Sequence, residues 1–288
     1  MKLYRKPELS KKKVIVLLTV IILLAIFCFY QNKHLTVSEY TFTTSKISTN
    51  ENSLRIVQIS DLHNAKFGKN NSRLISLITD HSPDIIVITG DIVDSNHTNI
   101  DTAVDLCTQA AKIAPCYYVT GNHEMWLTNS DKTKLFDGIK SAGVHILNDE
   151  SITLNDDIVL TGLDDSSLYN GTLAALSHDI PEDKLHIVLA HEPQYLEEEY
   201  VLSSPDLIIT GHAHGGQVRL PFIGGLVAPD QGFFPEYTSG EYNALSSSAD
   251  GTELKTTMYV SRGLGNSVIP LRVFNYPEIN VLNIQKEN

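Results

Sequence analysis

Three kinds of apolar pattern divide this chain. The first is Val14–Tyr30 (VIVLLTVIILLAIFCFY), seventeen residues without a charge, at the lower limit of what a helix needs to cross a bilayer. The second is a set of short β-branched runs: Leu54–Ser60, Asp84–Thr89, Cys116–Thr120, Leu185–Ala190 and Leu207–Thr210. Continuous apolar runs of this length predict buried strands. The third is apolar residues at helical spacing between those strands. Leu74, Ile75, Leu77 and Ile78 predict a helix over Ser72–His81, with Ser72 as N-cap and Ser82-Pro83 as its stop. Ala103, Val104, Leu106, Cys107, Ala110 and Ala111 predict another over Ile100–Ala114, broken by Pro115, and Asp131–Ala142 reads as a third.

Further along, the pattern predicts a strand near Val144–Leu147, a hairpin of Ile152–Leu154 and Ile158–Leu163, and a short helix over Thr172–His178. Pro235–Thr256 is poor in large apolar residues and reads as an exposed loop, followed by closing strands at Thr257–Ser261, Leu271–Phe274 and Ile279–Ile284. Strands alternating with helices through short links pair in parallel with right-handed crossovers. Two such series predict an α/β fold, a four-layer αββα sandwich of two mixed sheets flanked by helices. The chain divides into a basic tail (1–13), an apolar span (14–30), a polar stalk leading into an edge strand (31–53) and one large domain (54–288).

Charge changes the reading of the apolar span. Seven Lys and Arg against one Glu fall in residues 1–33, so the formal −12 of the whole chain leaves −18 for the rest. With the basic flank on its amino side, the span is expected to be a signal anchor with a cytoplasmic amino terminus and the domain across the membrane. Cleavage competes with retention, but no small-x-small site follows the bulky Phe27-Cys28-Phe29-Tyr30. The acidic remainder lacks the basic stripe that nucleic acid requires, and none is expected as a partner. Cys107 and Cys116 are either a pair or, as we expect, two buried thiols.

The strand ends carry the chemistry. Asp61-x-His63, Gly90-Asp91, Gly121-Asn122-His123-Glu124, His191 and Gly211-His212-Ala213-His214 each follow a predicted strand. Singly these are weak signals: Asp91 also reads as a helix cap, and His-Ala-His as a polar turn. Together they fall at the carboxyl ends of strands, where sites in such sheets form. Arg262, in Ser261-Arg262-Gly263-Leu264-Gly265, reads as a solvated arginine, with substrate contact as the alternative.

This ordered set resembles the calcineurin-like metallophosphoesterase superfamily over about residues 54–284, and Gly215–Pro221 and Ser261–Pro270 resemble its membrane-associated bacterial branch. The resemblance implies two divalent cations from among Mn, Fe, Zn and Co. Asp61, His63 and His214 would hold one, Asn122, His191 and His212 the other, and Asp91 would bridge them. It implies hydrolysis of a phosphoester by water activated between the cations, with His123 outside the metal shell protonating the leaving oxygen or stabilising its charge. The anchor points to a lipid-linked or envelope substrate. A protein phosphatase and a non-catalytic scaffold on the same fold are the other readings.

Overall fold

The computed structural model describes residues 10–49, 52–247, 251 and 253–287. Helix α1 (Lys11–Lys33) extends three residues beyond the apolar span at each end, and its N-cap Ser10 accepts a hydrogen bond from Lys13 N. By length and composition it suffices to cross a membrane, and its apolar side chains are exposed almost throughout.

The strands that follow are β1 (Thr36–Thr44), β2 (Leu54–Ile59), β3 (Ile85–Thr89), β4 (Cys116–Val119), β5 (His145–Ile146), β6 (Glu150–Thr153), β7 (Ile158–Gly162), β8 (Leu185–Leu189) and β9 (Leu207–Thr210). Two small hairpins come next, β10 (Arg219–Leu220) with β11 (Gly224–Gly225) and β12 (Val227–Ala228) with β13 (Gly232–Phe233). The chain closes with β14 (Gly240–Ser247), β15 (Glu253–Val260) and β16 (Glu278–Lys286). The helices are α2 (Ser72–Asp80), α3 (Ile100–Ala110), α4 (Asn122–Met125), α5 (Asn129–Ser141) and α6 (Thr172–Ser177).

Two six-stranded sheets result, in the orders β1-β16-β2-β3-β4-β5 and β14-β15-β9-β8-β7-β6. Within the first, β2 to β5 are parallel and β16 runs against β2. In the second, β7, β8, β9 and β15 are parallel, with antiparallel β6 and β14 at the edges. Alternation within each buried run feeds two cores. Val57, Ile59, Ile86 and Ile88 face out beneath α2, α3 and α5, while Ile56, Ile85 and Val87 face in against Leu160, Ile187, Leu207 and Ile209 of the second sheet. Val188, Ile208, Met258 and Val260 complete the outer side of that sheet under Leu173 of α6 and the 196–201 turn. The result is the four-layer αββα arrangement. Each fully buried Leu or Ile contributes about 1.5–3 kcal/mol.

Several local expectations are corrected. Ser72 is the first residue of α2 and not its cap; Asn71 occupies that position at φ +55 and turns its Oδ1 to Phe67 N. Helix α3 stops at Ala110, because the chain before Pro115 closes in tight turns such as Ile113 N to Ala110 O. The stretch 31–53 holds the expected edge strand, which is longer than its alternation suggests: Thr36–Thr44 pairs along its whole length with β16, and Ile47 is buried between the sheets. Pro235–Thr256 is no loop, since β14 and the start of β15 lie within it. An edge strand with one face in water needs few large apolar residues, and Tyr242 and Ala244 suffice. Leu271–Phe274 makes only a single bridge, Val218 to Val273, because Phe274 turns the backbone at φ +52. Cys107 and Cys116 are buried free thiols.

His186 of β8 gives a stability prediction. Burial, aided by Lys46, lowers its pKa from 6.5 to about 4, and its Nε2 lies 2.9 Å from Thr161 Oγ1. The unfolded imidazole takes its proton near pH 6.5 and the folded one only near 4, so stability is complete above 6.5 and lost as pH falls toward 4. Between pH 7 and 5 this group costs about 2 kcal/mol. His186→Gln should reduce the wild-type loss by that amount, read from urea midpoints at the two pH values.

Candidate metal centre

Every ligand candidate sits on the first residues after a strand, where the backbone reverses sharply. Asp61 and His63 follow β2, Asp91 follows β3, Asn122 opens α4 after β4, His191 follows β8, and His212 and His214 follow β9. Asp61, His63, Asp91, His212 and His214 have φ of +51, +42, +52, +64 and +47. This left-handed region costs a non-glycine residue about 1 kcal/mol or more. Backbone hydrogen bonds hold the strain: Asp61 N to Gly90 O, His63 N to Asp91 O, and His212 N to both oxygens of Asp61. Gly90 is itself at φ +81, and a Cβ there would lie 2.7 Å from both Gly121 N and His191 Nδ1. No side chain fits between the two sheets at that point.

The structure brings all seven side chains together. Ligand atoms of Asp61, His63 and His214 lie within 4.8 Å of one another, and so do those of Asp91, His191 and His212. Asn122 Oδ1 joins the second group, 3.2 Å from His191 Nε2. Asp91 touches both, its Oδ2 being 3.4 Å from His63 Nε2 and 3.3 Å from His191 Nε2.

Hydrogen bonds on the far side of each ring set its tautomer. His191 Nδ1 faces the carbonyl of Thr89 at 2.7 Å and His212 Nε2 faces Asp230 Oδ2 at 3.0 Å; both partners only accept, so both nitrogens carry hydrogen. In the neutral rings, His191 Nε2 and His212 Nδ1, 3.2 Å apart, then turn lone pairs toward the oxygens of Asn122 and Asp91. Four acceptors converging without a hydrogen between them suit a cation. His63 agrees: both its ring nitrogens are buried without a hydrogen-bond partner, and burial lowers its pKa to about 3 against the pull of Asp91. Burial opposes charge on His191 as well, yet Asp91 holds its pKa well above the usual value, so a proton on Nε2 faces Asp91 where a cation would otherwise stand. Asp91 is held low by His191 and His63 although burial acts the other way. The donor set is nitrogen and oxygen without thiolate, which suits borderline divalent metals.

His123 is differently placed. Ser95 N donates to its Nδ1 at 3.0 Å, so the proton of the neutral ring is on Nε2, which meets Ser267 Oγ at 3.0 Å. Its own backbone N–H donates to Asp91 Oδ1. A ring nitrogen of His123 nevertheless lies within 4.8 Å of ligand atoms of His63 and Asp91. Glu124 lies beneath, accepting from Asp91 N and Gly121 N at 2.8 Å each, and burial followed by repulsion from Asp91 raises its pKa to about 8.

Asp230, Ser95, Ser267 and Arg272 carry no local signal in the sequence, and only contacts across the fold reveal them. Arg272, fully buried, donates to the carbonyls of Arg262 and Gly265 and approaches His214 Nδ1 at 3.5 Å; burial and this guanidinium hold the His214 pKa well below its usual value. Arg262 is half-buried and pairs with buried Glu278 at 3.6 Å.

Asp230 gives a second prediction. It fixes the tautomer that frees His212 Nδ1, so Asp230→Ala should lower metal affinity about 10–100-fold, read by titration of chelator-stripped protein.

Two mixed sheets whose strand ends deliver imidazoles and carboxylates to one buried point define a metal-dependent phosphoesterase. Residues 54–216 match the calcineurin-like phosphoesterase family, and the chain belongs to it. It is 32% identical over 271 residues to the metallophosphoesterase YkuE of Bacillus subtilis, covering 87% of this chain and 86% of that protein. It is 29% identical over 240 residues to phosphodiesterase YaeI of Escherichia coli, covering 80% and 82%. A transmembrane protein with metallophosphoesterase domain from Danio rerio is 28% identical over 254 residues, covering 81% of this chain and 54% of that one. This relative and the apolar α1 suggest a membrane protein.

Proposed function

We propose that this chain is a membrane-anchored binuclear phosphohydrolase, with α1 crossing the bilayer from a cytoplasmic amino terminus and the domain outside the cytoplasm. Lys11, Lys12 and Lys13 at the amino end of α1 support that direction. Asp61, His63 and His214 would hold one divalent cation, Asn122, His191 and His212 a second, and Asp91 both. Such cations, when bound, lower the pKa of water and neutralise charge on phosphoryl oxygens.

The chain's own residues supply the rest. Asp91 sets the spacing of the two groups, and Asn122 ligates without adding negative charge, so the site stays attractive to an anionic ester. His123 presents Nε2–H to the leaving oxygen. The oxygen of water forms the new bond to phosphorus, the ester P–O bond breaks, His123 stabilises the charge on the leaving oxygen through this hydrogen bond, and that oxygen takes up the proton released by water. The observation that carries this reading is Asp91 Oδ2 lying within 3.4 Å of a histidine from each group. The relative named a phosphodiesterase supports ester hydrolysis.

The test is metal analysis of the detergent-solubilised full chain, coupled to hydrolysis of p-nitrophenyl phosphate, its bis-ester and a nucleotide-linked lipid. Stoichiometric metal with turnover of at least one ester is expected. Metal-free protein, inert on all three after reconstitution with Mn, Fe, Zn or Co, sinks the reading.

A further inference from the structure

The carboxyl end of α1 does not hang free of the domain. The rings of Phe27 and Phe274 are 5.7 Å apart, Gln31 Nε2 donates to Tyr276 Oη, and Asn266 Nδ2 donates to Asn32 Oδ1. Phe27 is three residues inside the end of the apolar span, so Phe274 is held about 4.5 Å below the level of Tyr30. Asn266 also adjoins Ser267, the residue hydrogen-bonded to His123. Only one residue therefore separates the helix contact from His123. A membrane that contains α1 must reach the rim of the metal centre.

That rim is apolar. Phe222 and Phe233 are 109% and 81% exposed, Phe234 and Val268 70% and 85%. Outside α1 and this side of the centre, the exposed large apolar side chains among the described residues are Tyr169, Leu202 and Leu245. The loops concerned are tied to one another and to the centre. Arg219 N donates to Val273 O beside Phe274, Phe234 N donates to Leu226 O, and the β12–β13 turn places Asp230 on His212. Large apolar side chains exposed on loops tied to one another mark an interaction site. Its continuity with α1 selects the occupant. The formal −18 beyond residue 33 gives no electrostatic attraction to an anionic surface, so apolar insertion must supply it.

We propose that the loops bearing Phe222, Phe233, Phe234 and Val268 dock into the outer leaflet of the bilayer that holds α1, so that the metal centre takes a phosphoester from the headgroup of a membrane lipid. This rests on α1 crossing the membrane.

Trp126, the one tryptophan of the sequence, is 64% exposed with its ring 4.9 Å from that of His123, and it reports the position of the centre. The full chain is placed in phosphatidylcholine nanodiscs with ordinary or dibrominated acyl chains. Bromine should quench about half or more of the tryptophan emission, as expected for an aromatic group at the interface. Phe222→Asp with Val268→Asp should abolish most of the quenching, position 222 (φ +68) being one that aspartate tolerates. In the same variant KM for a lipid-borne phosphoester should rise about tenfold or more, the loss expected for one buried phenylalanine, with kcat/KM for p-nitrophenyl phosphate unchanged. Equal emission from both kinds of disc overturns the proposal. Failure of the full chain to enter discs overturns the anchor and docking together. Quenching in a chain inert on every ester upholds docking and removes the phosphohydrolase reading alone.

Discussion

His123→Asn should lower kcat on an alkyl phosphoester about 10²–10³-fold, the usual worth of one donor aimed at charge developing on oxygen, while bound metal stays at the wild-type level. The argument is geometric. Ser95 N fills the Nδ1 lone pair, so the ring's proton lies on Nε2, 3.0 Å from Ser267 Oγ, and leaves no lone pair for a metal. The contact from position 123 to Asp91 is made by its backbone N–H, which the substitution retains. An ester with a good leaving group needs less stabilisation of the charge on its oxygen, so the loss on p-nitrophenyl phosphate should shrink to roughly tenfold. Metal analysis beside kcat on the two esters checks this. Metal loss equal to that of an Asp91 variant would make His123 a ligand.

Asp91→Asn should lose both activity and metal. The change keeps the shape and leaves an oxygen for His123 N, but removes the charge that lies 3.3–3.4 Å from His63 and His191. Turnover is expected to fall more than about 10³-fold and metal affinity more than about 100-fold, beyond the effect of losing an outer-shell partner. Stability gives an independent readout. At a metal concentration 100 times Kd, each bound ion stabilises the fold by about 2.7 kcal/mol. Chelation should therefore lower the wild-type melting temperature and barely move that of the variant. A variant that keeps its metal and its response to chelator would remove Asp91 from the centre.

Much of the site is legible because its information is local. Leu54–Ile59, Ile85–Thr89 and Leu207–Thr210 are β-branched runs whose ends show in the sequence, and the residues just past them are the ones the turns push inward. Local reading failed where a segment takes its structure from a partner. The strand Gly240–Ser247 has few large apolar residues and is a strand because β15 pairs with it along its length. Thr36–Thr44 reads from the sequence as an edge strand, but its full length is fixed by β16, which lies more than 230 residues away.

The sequence by itself determined the class of chemistry, the candidate residues for it and the apolar helix, because residue type, strand ends and hydrophobic length are properties of neighbouring positions. Only the tertiary structure decided that Asp91 lies between His63 and His191, that Asp230 and Ser95 set ring tautomers, and that α1 ends beside Ser267. Those relations depend on the order of strands in two sheets and on loops meeting across them, and no periodicity along the chain encodes which distant loops will meet.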